Sequence, residues 1–337
     1  MAAPELVRRD SDGRLTCLSC GHRCLIGDGK RGICKVRYNE GGTLHVPRGY
    51  VGALQCDPIE KKPFFHAMPG TNALSFGMLG CDLHCSYCQN WLTSQTLRDA
   101  AAGTAPRDVS ADDLVHLSLR EAASTLASTY NEPLITSEWA VEVFKRAKVA
   151  GLKTAYISNG NATEEVLRFL QPWVDLYKVD LKGFSGRGYR ELGGRLQTVL
   201  DTIQMLHRMG FWLEIVTLVV PNFNDSESEI RDIARFLSGV SVDIPWHVTA
   251  FHADYKMTDR RDTTEADIIR AAEIGKEEGL HYVYAGNRPG RVGDWEDTVC
   301  PKCETHVIER SGFRILRNRL ENGSCPRCWT SIPGVWS

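Results

Sequence analysis

Three cysteines crowd one short loop, Gly80-Cys81-Asp82-Leu83-His84-Cys85-Ser86-Tyr87-Cys88. The spacing is C-x3-C-x2-C, with an aromatic residue just before the last thiol. The loop follows an apolar run, Ala73–Leu79, that reads as a strand ending at Gly80. Three thiolates so placed can hold three irons of a four-iron, four-sulfur cluster, for which cysteine is the usual ligand. The fourth iron then has no cysteine from the loop. An open metal position is where chemistry takes place, as at catalytic rather than structural zinc. The plain alternative is a structural zinc site completed by His84.

An open iron suits S-adenosylmethionine (SAM), whose amino-acid end can bind that iron and whose sulfonium can be reduced there. Cofactors of this kind carry radical chemistry that side chains do not perform.

The chain has twelve cysteines, and its first ten residues contain no apolar core of a secretory signal, so metal ligands are expected before disulfides. No run approaches the roughly 18 apolar residues of a membrane span. The formal net charge of −2 gives no basic field for general nucleic-acid or membrane binding. A cytoplasmic protein with no membrane partner is expected.

Two further cysteine sets flank the loop. Cys300-x2-Cys303 and Cys325-x2-Cys328 are paired knuckles joined by a β-rich segment, which reads as a zinc ribbon. Four thiolates close a tetrahedron around one ion, and so small a module would draw folding energy from its metal. Rubredoxin-like iron is the rival. Cys17, Cys20, Cys24 and Cys34, with Gly27, Gly29 and Gly32, suit a compact knuckle that holds either zinc or a second cluster. His22 is able to replace one thiolate. Cys56 stands alone and is expected to be a small buried hydrophobe.

Between residues 73 and 285, strand-like runs alternate with amphipathic stretches. The strands are expected at Ala73–Leu79, Thr125–Tyr130, Lys153–Ser158, Leu176–Leu181, Trp212–Val220, Trp246–Phe251 and His281–Ala285. The helices are expected from a Ser110 cap to Arg120, then at Ser137–Val149, Thr163–Leu170, Leu196–Met209, Ser226–Leu237 and Glu265–Glu278, with Gly210 and Gly279 as terminators. Such alternation predicts an α/β protein of six or seven parallel β/α units, short of a closed eightfold barrel, with a doubly wound sheet as the alternative. Residues 97–110 read as a surface loop.

Ligands gather at the carboxyl ends of such strands, and polar residues recur there. Tyr130-Asn131-Glu132-Pro133 holds Glu132 extended as an acceptor for an ammonium, or else as an ordinary helix-start acid. Ser158-Asn159-Gly160-Asn161 offers groups for ribose or carboxylate, or is simply a turn. Asp180 and Lys182 share one strand face as a pocket pair or a structural salt bridge. His252 follows the sixth strand, and Asn222, Asn224 and Asn287 lie in further end loops.

Long stretches of the chain resemble the AmmeMemoRadiSam-system radical SAM proteins, relatives of the pyruvate formate-lyase activating enzymes. The likeness is carried by Cys17-Leu-Ser-Cys-Gly-His-Arg-Cys24 with Gly32-Ile-Cys34-Lys-Val-Arg37, by Asp57-Pro-Ile-Glu-Lys-Lys-Pro63 with His66, and by Gly80 to Trp91. It continues through Tyr130–Pro133, Asn159-Gly160, Val179–Lys182, Trp246-His-Val, Phe251-His252, Tyr255–Asp259 and Ile332–Trp336.

The resemblance implies a partial (β/α)6 barrel over residues 73–290. It also implies a Cys-rich module over 1–48, a connecting segment over 49–72 and a zinc-ribbon-like module over 298–337. It implies that Cys81, Cys85 and Cys88 hold the cluster, and that Tyr87, Asn131, Glu132, Ser158 and Asn159 bind SAM. Asp180, Lys182 and His252 are implied near SAM or substrate as catalytic residues. Reductive cleavage of SAM would give a 5′-deoxyadenosyl radical that takes hydrogen from a small-molecule, peptide or protein substrate. The alternatives are an activase for a glycyl-radical protein, or a non-catalytic metalloprotein that binds RNA or protein through its zinc modules. The implied partners are a flavodoxin- or ferredoxin-type reductant and the two proteins of the AmmeMemoRadiSam system. Where the activating enzymes carry an Asp before Thr-Asn-Gly, this chain has Ile157 before Ser158-Asn159-Gly160, so the likeness does not extend to a monovalent-cation site at that Asp.

Overall fold

A computed structural model describes residues 1–11 and 13–337. Eight strands form a central, mostly parallel sheet: β1 (Ala53–Pro58), β2 (Asn72–Gly77), β3 (Ala123–Ser128), β4 (Lys153–Ser158), β5 (Leu176–Asp180), β6 (Trp212–Val219), β7 (Trp246–Ala250) and β8 (Val283–Gly286). Their order in the sheet is their order in the chain. Sequential order with a helix between parallel neighbours is what short, right-handed β-α-β crossovers produce. The longer helices are α1 (Ala111–Arg120), α2 (Ser137–Val149), α3 (Glu164–Leu170), α4 (Leu196–Arg208), α5 (Glu227–Val240) and α6 (Glu265–Glu277). The fold class is therefore the α/β one expected, and β2–β8 are the seven predicted strands.

The helix starts follow local chemistry. The Ser110 hydroxyl accepts from Asp113 N–H at 3.1 Å while the Asp113 carboxylate accepts from Ser110 N–H at 3.0 Å, a reciprocal capping box. Thr264 and Asp267 form the same box at α6, while the Thr163 and Ser226 hydroxyls cap α3 and α5 by accepting from Val166 N–H and Glu229 N–H. Gly210 and Gly279 lie beyond α4 and α6 at φ +78° and +91°, in the left-handed region that glycine adopts without strain.

Three expectations need correction. Strand β1 was not foreseen, because Ala-Leu-Gln-Cys-Asp-Pro has no clear apolar alternation and ends at proline, a residue confined to strand edges and ends. Cys56 lies on β1 and is half-buried rather than buried. Within the expected loop at 97–110, Arg107–Asp108 pairs antiparallel with Tyr50–Val51.

The chain divides into two compact units. One comprises Met1–Asp57, Asn72–Tyr177 and Tyr189–Phe211, and the other Pro58–Thr71, Lys178–Gly188 and Trp212–Ser337. In the first, β3 pairs in parallel with β2 and β4, setting Leu126 opposite Leu74 and Thr154. Phe144 of α2 packs edge-on against Phe76 of β2 and Tyr156 of β4. These strands are buried almost throughout, as parallel strands covered by helices must be.

In the second unit, β6, β7 and β8 pair in parallel, with His247 opposite both Val216 and Tyr284. Glu214 of β6 is wholly buried and accepts four donors: Phe65 N–H (2.9 Å), His66 N–H (3.0 Å), Trp212 Nε1 (3.0 Å) and His247 Nε2 (2.7 Å). A carboxylate offers about four lone-pair sites, so Glu214 is saturated. His66 bridges from Tyr284 Oη to the Pro333 carbonyl. The buried Arg310 guanidinium donates to Thr298 and to the Phe65 carbonyl and lies over the Phe65 ring. This network joins the sheet to the C-terminal antiparallel strands Thr298–Val299, His306–Ser311 and Arg314–Asn318. Among the described residues no helix is long and apolar enough to cross a membrane.

Candidate metal and cofactor site

The cysteine loop leaves β2 through a tight backbone passage. A Cβ at Gly77 would lie 2.5 Å from the Thr129 carbonyl oxygen. One at Gly80 (φ +93°) would lie 2.9 Å from Val36 Cγ1 and 3.2 Å from the Cys34 carbonyl oxygen. Glycine is required at both. Gln95 and Arg98 donate to the Leu83 carbonyl (3.3 and 2.7 Å), and His84 N–H donates to the Leu192 carbonyl (2.9 Å), so the loop is tied down on two sides. Leu83 N–H donates to Cys81 Sγ (3.4 Å), and Cys88 Sγ lies 3.2 Å from Ser94 Oγ. Cys85 and Tyr87 are buried; Cys81 and Cys88 are half-buried.

After β3, Tyr130 adopts φ +67°, an uncommon backbone state for a bulky side chain. Its turn is held by Thr129 N–H on the Phe76 carbonyl and by Thr93 Oγ1 on the Tyr130 carbonyl. Asn131 braces the same corner: its Oδ1 accepts from Met78 N–H (2.9 Å) and its amide donates to the Glu132 carbonyl (3.1 Å). Glu132 is extended, at φ −83° and ψ 111°, before Pro133, as the proline predicts.

The Glu132 carboxylate is 3% exposed. It accepts from Leu134 N–H (3.0 Å), Ser158 Oγ (2.8 Å) and Asn159 N–H (2.7 Å). Close by, the wholly buried Asp82 accepts from the Asn159 amide and the Asn161 amide, each at 2.7 Å. The loops after β2, β3 and β4 are thus stitched together by two carboxylates. Neither forms an ion pair with a lysine or arginine among the described residues; the one basic group near is His22 Nε2, 4.0 Å from Asp82. Burial, and then the Asp82 charge, push the Glu132 carboxyl well above the usual carboxylate range. Burial, followed by the charges of Asp82, Glu132 and Cys85, also drives the Cys81 thiol far up.

Among the described residues, no lysine or arginine offsets the two buried carboxylates beside the three thiols. Bound iron would ionise the thiols, and an ammonium or sulfonium would offset the carboxylates. The donor set therefore fits a thiolate-bound cluster together with a cationic ligand. Three donors occupy Glu132, and about one of its lone-pair sites remains open.

Asp180, Lys182 and His252 belong to the second unit. Asp180 bonds to Lys178 and lies 3.3 Å from Lys182 Nζ. Burial opposes the Asp180 charge, but the two lysines outweigh it and hold the carboxyl near 2. His252 is exposed, with Nδ1 3.4 Å from the Ala253 carbonyl.

The three loop sulfurs are not gathered as ligands of a single ion. Among the described residues, two groups of three or more potential ligand atoms lie within 4.8 Å of one another: Cys300, Cys303, Cys325 and Cys328, and the surface set Asp294, Asp297 and His306. In the C-terminal quartet, Cys300 and Cys328 sulfurs are 3.6 Å apart and Cys303 and Cys325 sulfurs 3.5 Å. Bonds of about 2.3 Å to one zinc would set tetrahedral sulfurs about 3.8 Å apart.

Sequence reasoning missed Asp82 and Lys178 as functional partners. Lys178 lies two residues before Asp180 on the same strand face, so strand periodicity would have found it.

Residues 77–237 match the Radical SAM superfamily. An uncharacterized protein of Methanocaldococcus jannaschii is 34% identical over 325 residues, covering 95% of this chain and 96% of that one. A pyruvate formate-lyase-activating enzyme of Clostridium pasteurianum is 26% identical over 57% of this chain and 84% of its own. The structure of a radical SAM methyltransferase from Sphaerobacter thermophilus matches with TM-score 0.50 at 14% identity, over 65% of this chain and 67% of that chain, a likeness of fold. The wide-set thiol loop at the end of β2, the sequential parallel sheet and these matches agree, and the chain belongs to the radical SAM superfamily.

Proposed function

We propose that this chain cleaves SAM reductively and directs the resulting radical at a peptide or protein substrate. When bound, a reduced four-iron cluster with one open iron supplies the electron that splits SAM into methionine and a 5′-deoxyadenosyl radical. Cys81, Cys85 and Cys88 hold three irons. Glu132 accepts the ammonium of SAM at its remaining lone-pair site, and Asp82 adds negative potential beside it. Ser158 and Asn159 fix the Glu132 carboxylate, Asn131 braces the turn that carries it, and the buried Tyr87 lines the adenine side. The observation that carries this reading is the pair of buried carboxylates, Glu132 and Asp82, with no lysine or arginine paired to either among the described residues. Asp180, Lys182 and His252 are assigned to the substrate on the family likeness alone.

The preference for a peptide or protein substrate rests on relatives that are activating enzymes, one for pyruvate formate-lyase and one for choline trimethylamine-lyase. A flavodoxin- or ferredoxin-type protein would supply the electron. We also assign one structural zinc ion to the C-terminal cysteine quartet, supported by its sulfur spacing.

Anaerobic reconstitution tests the reading. The chain should release 5′-deoxyadenosine from SAM and dithionite, and Cys85→Ala should abolish that release while leaving the terminal cysteine sets metallated. A chain that leaves SAM intact, or a Cys85→Ala variant that still cleaves it, would overturn the assignment.

A further inference from the structure

The two cysteine quartets at the ends of the chain differ in geometry. The C-terminal four meet within 4.8 Å, whereas no three of Cys17, Cys20, Cys24 and Cys34 do. Yet the N-terminal four are not scattered. Cys17, Cys20 and Cys34 are buried and Cys24 half-buried. Cys17 N–H donates to the Cys24 carbonyl at 2.9 Å, and the thiols act electrostatically on one another: Cys20 feels Cys17 and Cys34, and Cys24 feels Cys17. No three of their sulfurs stand as close together as one zinc ion would set its ligands.

Burial opposes ionisation of Cys20, Cys24 and Cys34 and holds their thiols above the usual range, but N–H donors face two sulfurs of the set. Ile33 N–H donates to Cys24 Sγ at 3.4 Å, and Arg37 Nη1 to Cys17 Sγ at 3.5 Å. Arg37 is 1% exposed, donates to the Ile135 carbonyl and pairs with Glu138. A four-iron cluster with four thiolates carries net negative charge, and a buried guanidinium with N–H···S donors is the environment that stabilises and tunes one.

This set also adjoins the Cys81 loop. Gly21 N–H donates to the Asn161 carbonyl at 2.8 Å, and a Cβ at Gly21 would lie 2.4 Å from Asn161 Oδ1. One guanidinium, Arg98, donates to Leu83 of the loop and to Ile33 of the N-terminal set (2.7 and 2.6 Å). Asp82, bonded to Asn161 and next to Cys81, acts electrostatically on Cys20 and Cys24.

We propose that Cys17, Cys20, Cys24 and Cys34 hold a second four-iron cluster, which passes single electrons to the cluster on the Cys81 loop. The transfer half rests on the reading of that loop given above; the metal half does not. One electron enters from a one-electron donor, dithionite or a flavodoxin-class protein, reduces the N-terminal cluster by one unit and moves on to the loop. No proton or group moves with it.

Metal analysis and electron paramagnetic resonance of the full chain, reconstituted anaerobically, test both halves. The chain should hold about eight irons and about one zinc. Replacing Cys81, Cys85 and Cys88 by alanine should leave about four irons and a reducible cluster signal. A chain with about four irons and two zincs, or loss of all iron on emptying the loop, overturns the metal assignment while sparing SAM cleavage. Retained iron in the emptied variant beside a parent that leaves SAM intact would sink the cleavage reading instead. In the doubly reduced parent the two signals should broaden each other, and the broadening should vanish in the emptied variant. A parent spectrum equal to the sum of two independent signals overturns the transfer half.

Discussion

Two buried glutamates, Glu132 in one unit and Glu214 in the other, have opposite surroundings. Glu214 accepts four donors, two from histidine residues and one from a tryptophan ring, and although burial opposes its charge the His247 hydrogen bond and charge hold its carboxyl below the usual value. Glu132 accepts three uncharged donors, sits near a second carboxylate and is pushed the other way. Burial alone therefore says little about a carboxylate's role. A saturated one ties structure together, and one left short of a cation marks where a cationic ligand belongs.

The strongest way to break this contrast is to truncate Glu214. Glu214→Ala strands four donors in a dry site and should cost about 3–5 kcal/mol in urea unfolding. A loss below about 1 kcal/mol would show that Glu214 is not the keystone described.

Acid titration is the next test. Burial lowers His66 to about 4 from an ordinary 6.5. Between those values the unfolded chain binds a proton that the folded chain refuses, so stability falls as pH drops through that window, on the order of 3 kcal/mol from His66 alone. His247 and Glu214 shift in the same direction and add to the loss. Glu132 has the opposite sign. Its raised pKa means the folded, ligand-free chain keeps a proton that the unfolded chain has released, so its contribution declines as pH rises above the ordinary carboxyl value of 4.5. Chemical unfolding across pH, repeated on Glu132→Gln, should remove that second slope and leave the first.

The smallest effect sharpens the comparison. At pH 4.5, where the second slope has not begun, Glu132→Gln should change stability by no more than about 1 kcal/mol, because one neutral acceptor replaces another. The same change should weaken SAM binding by about 2 kcal/mol, roughly thirtyfold, by calorimetry on the reconstituted protein. Equal losses in both assays would make Glu132 a structural residue like Glu214.

Much of this was legible in the sequence, for physical reasons. Helix α2 spans the predicted Ser137–Val149, and the Ser110 and Thr163 caps lie at the predicted starts, because caps and amphipathic periodicity are local properties. The cysteine loop and the strand-end residues Glu132, Ser158 and Asn159 were visible because parallel β/α topology gathers such ends in one place. Asp82 was hidden because its partners, Asn159 and Asn161, are nearly eighty residues away. Glu214 left a faint mark, an acid inside the apolar run Trp212–Val219. Its meaning depended on Phe65 and His66, some 150 residues upstream.

The turn at Tyr130 has one more consequence. A tyrosine at φ +67° costs the chain about 1–2 kcal/mol relative to a relaxed backbone. That strain sits two residues ahead of Glu132, in a corner gripped by Asn131 and Thr93. The main chain has fixed the carboxylate's heading before any guest arrives. The cation proposed to bind there would meet an acceptor already in position and lose little of its binding energy in ordering the host.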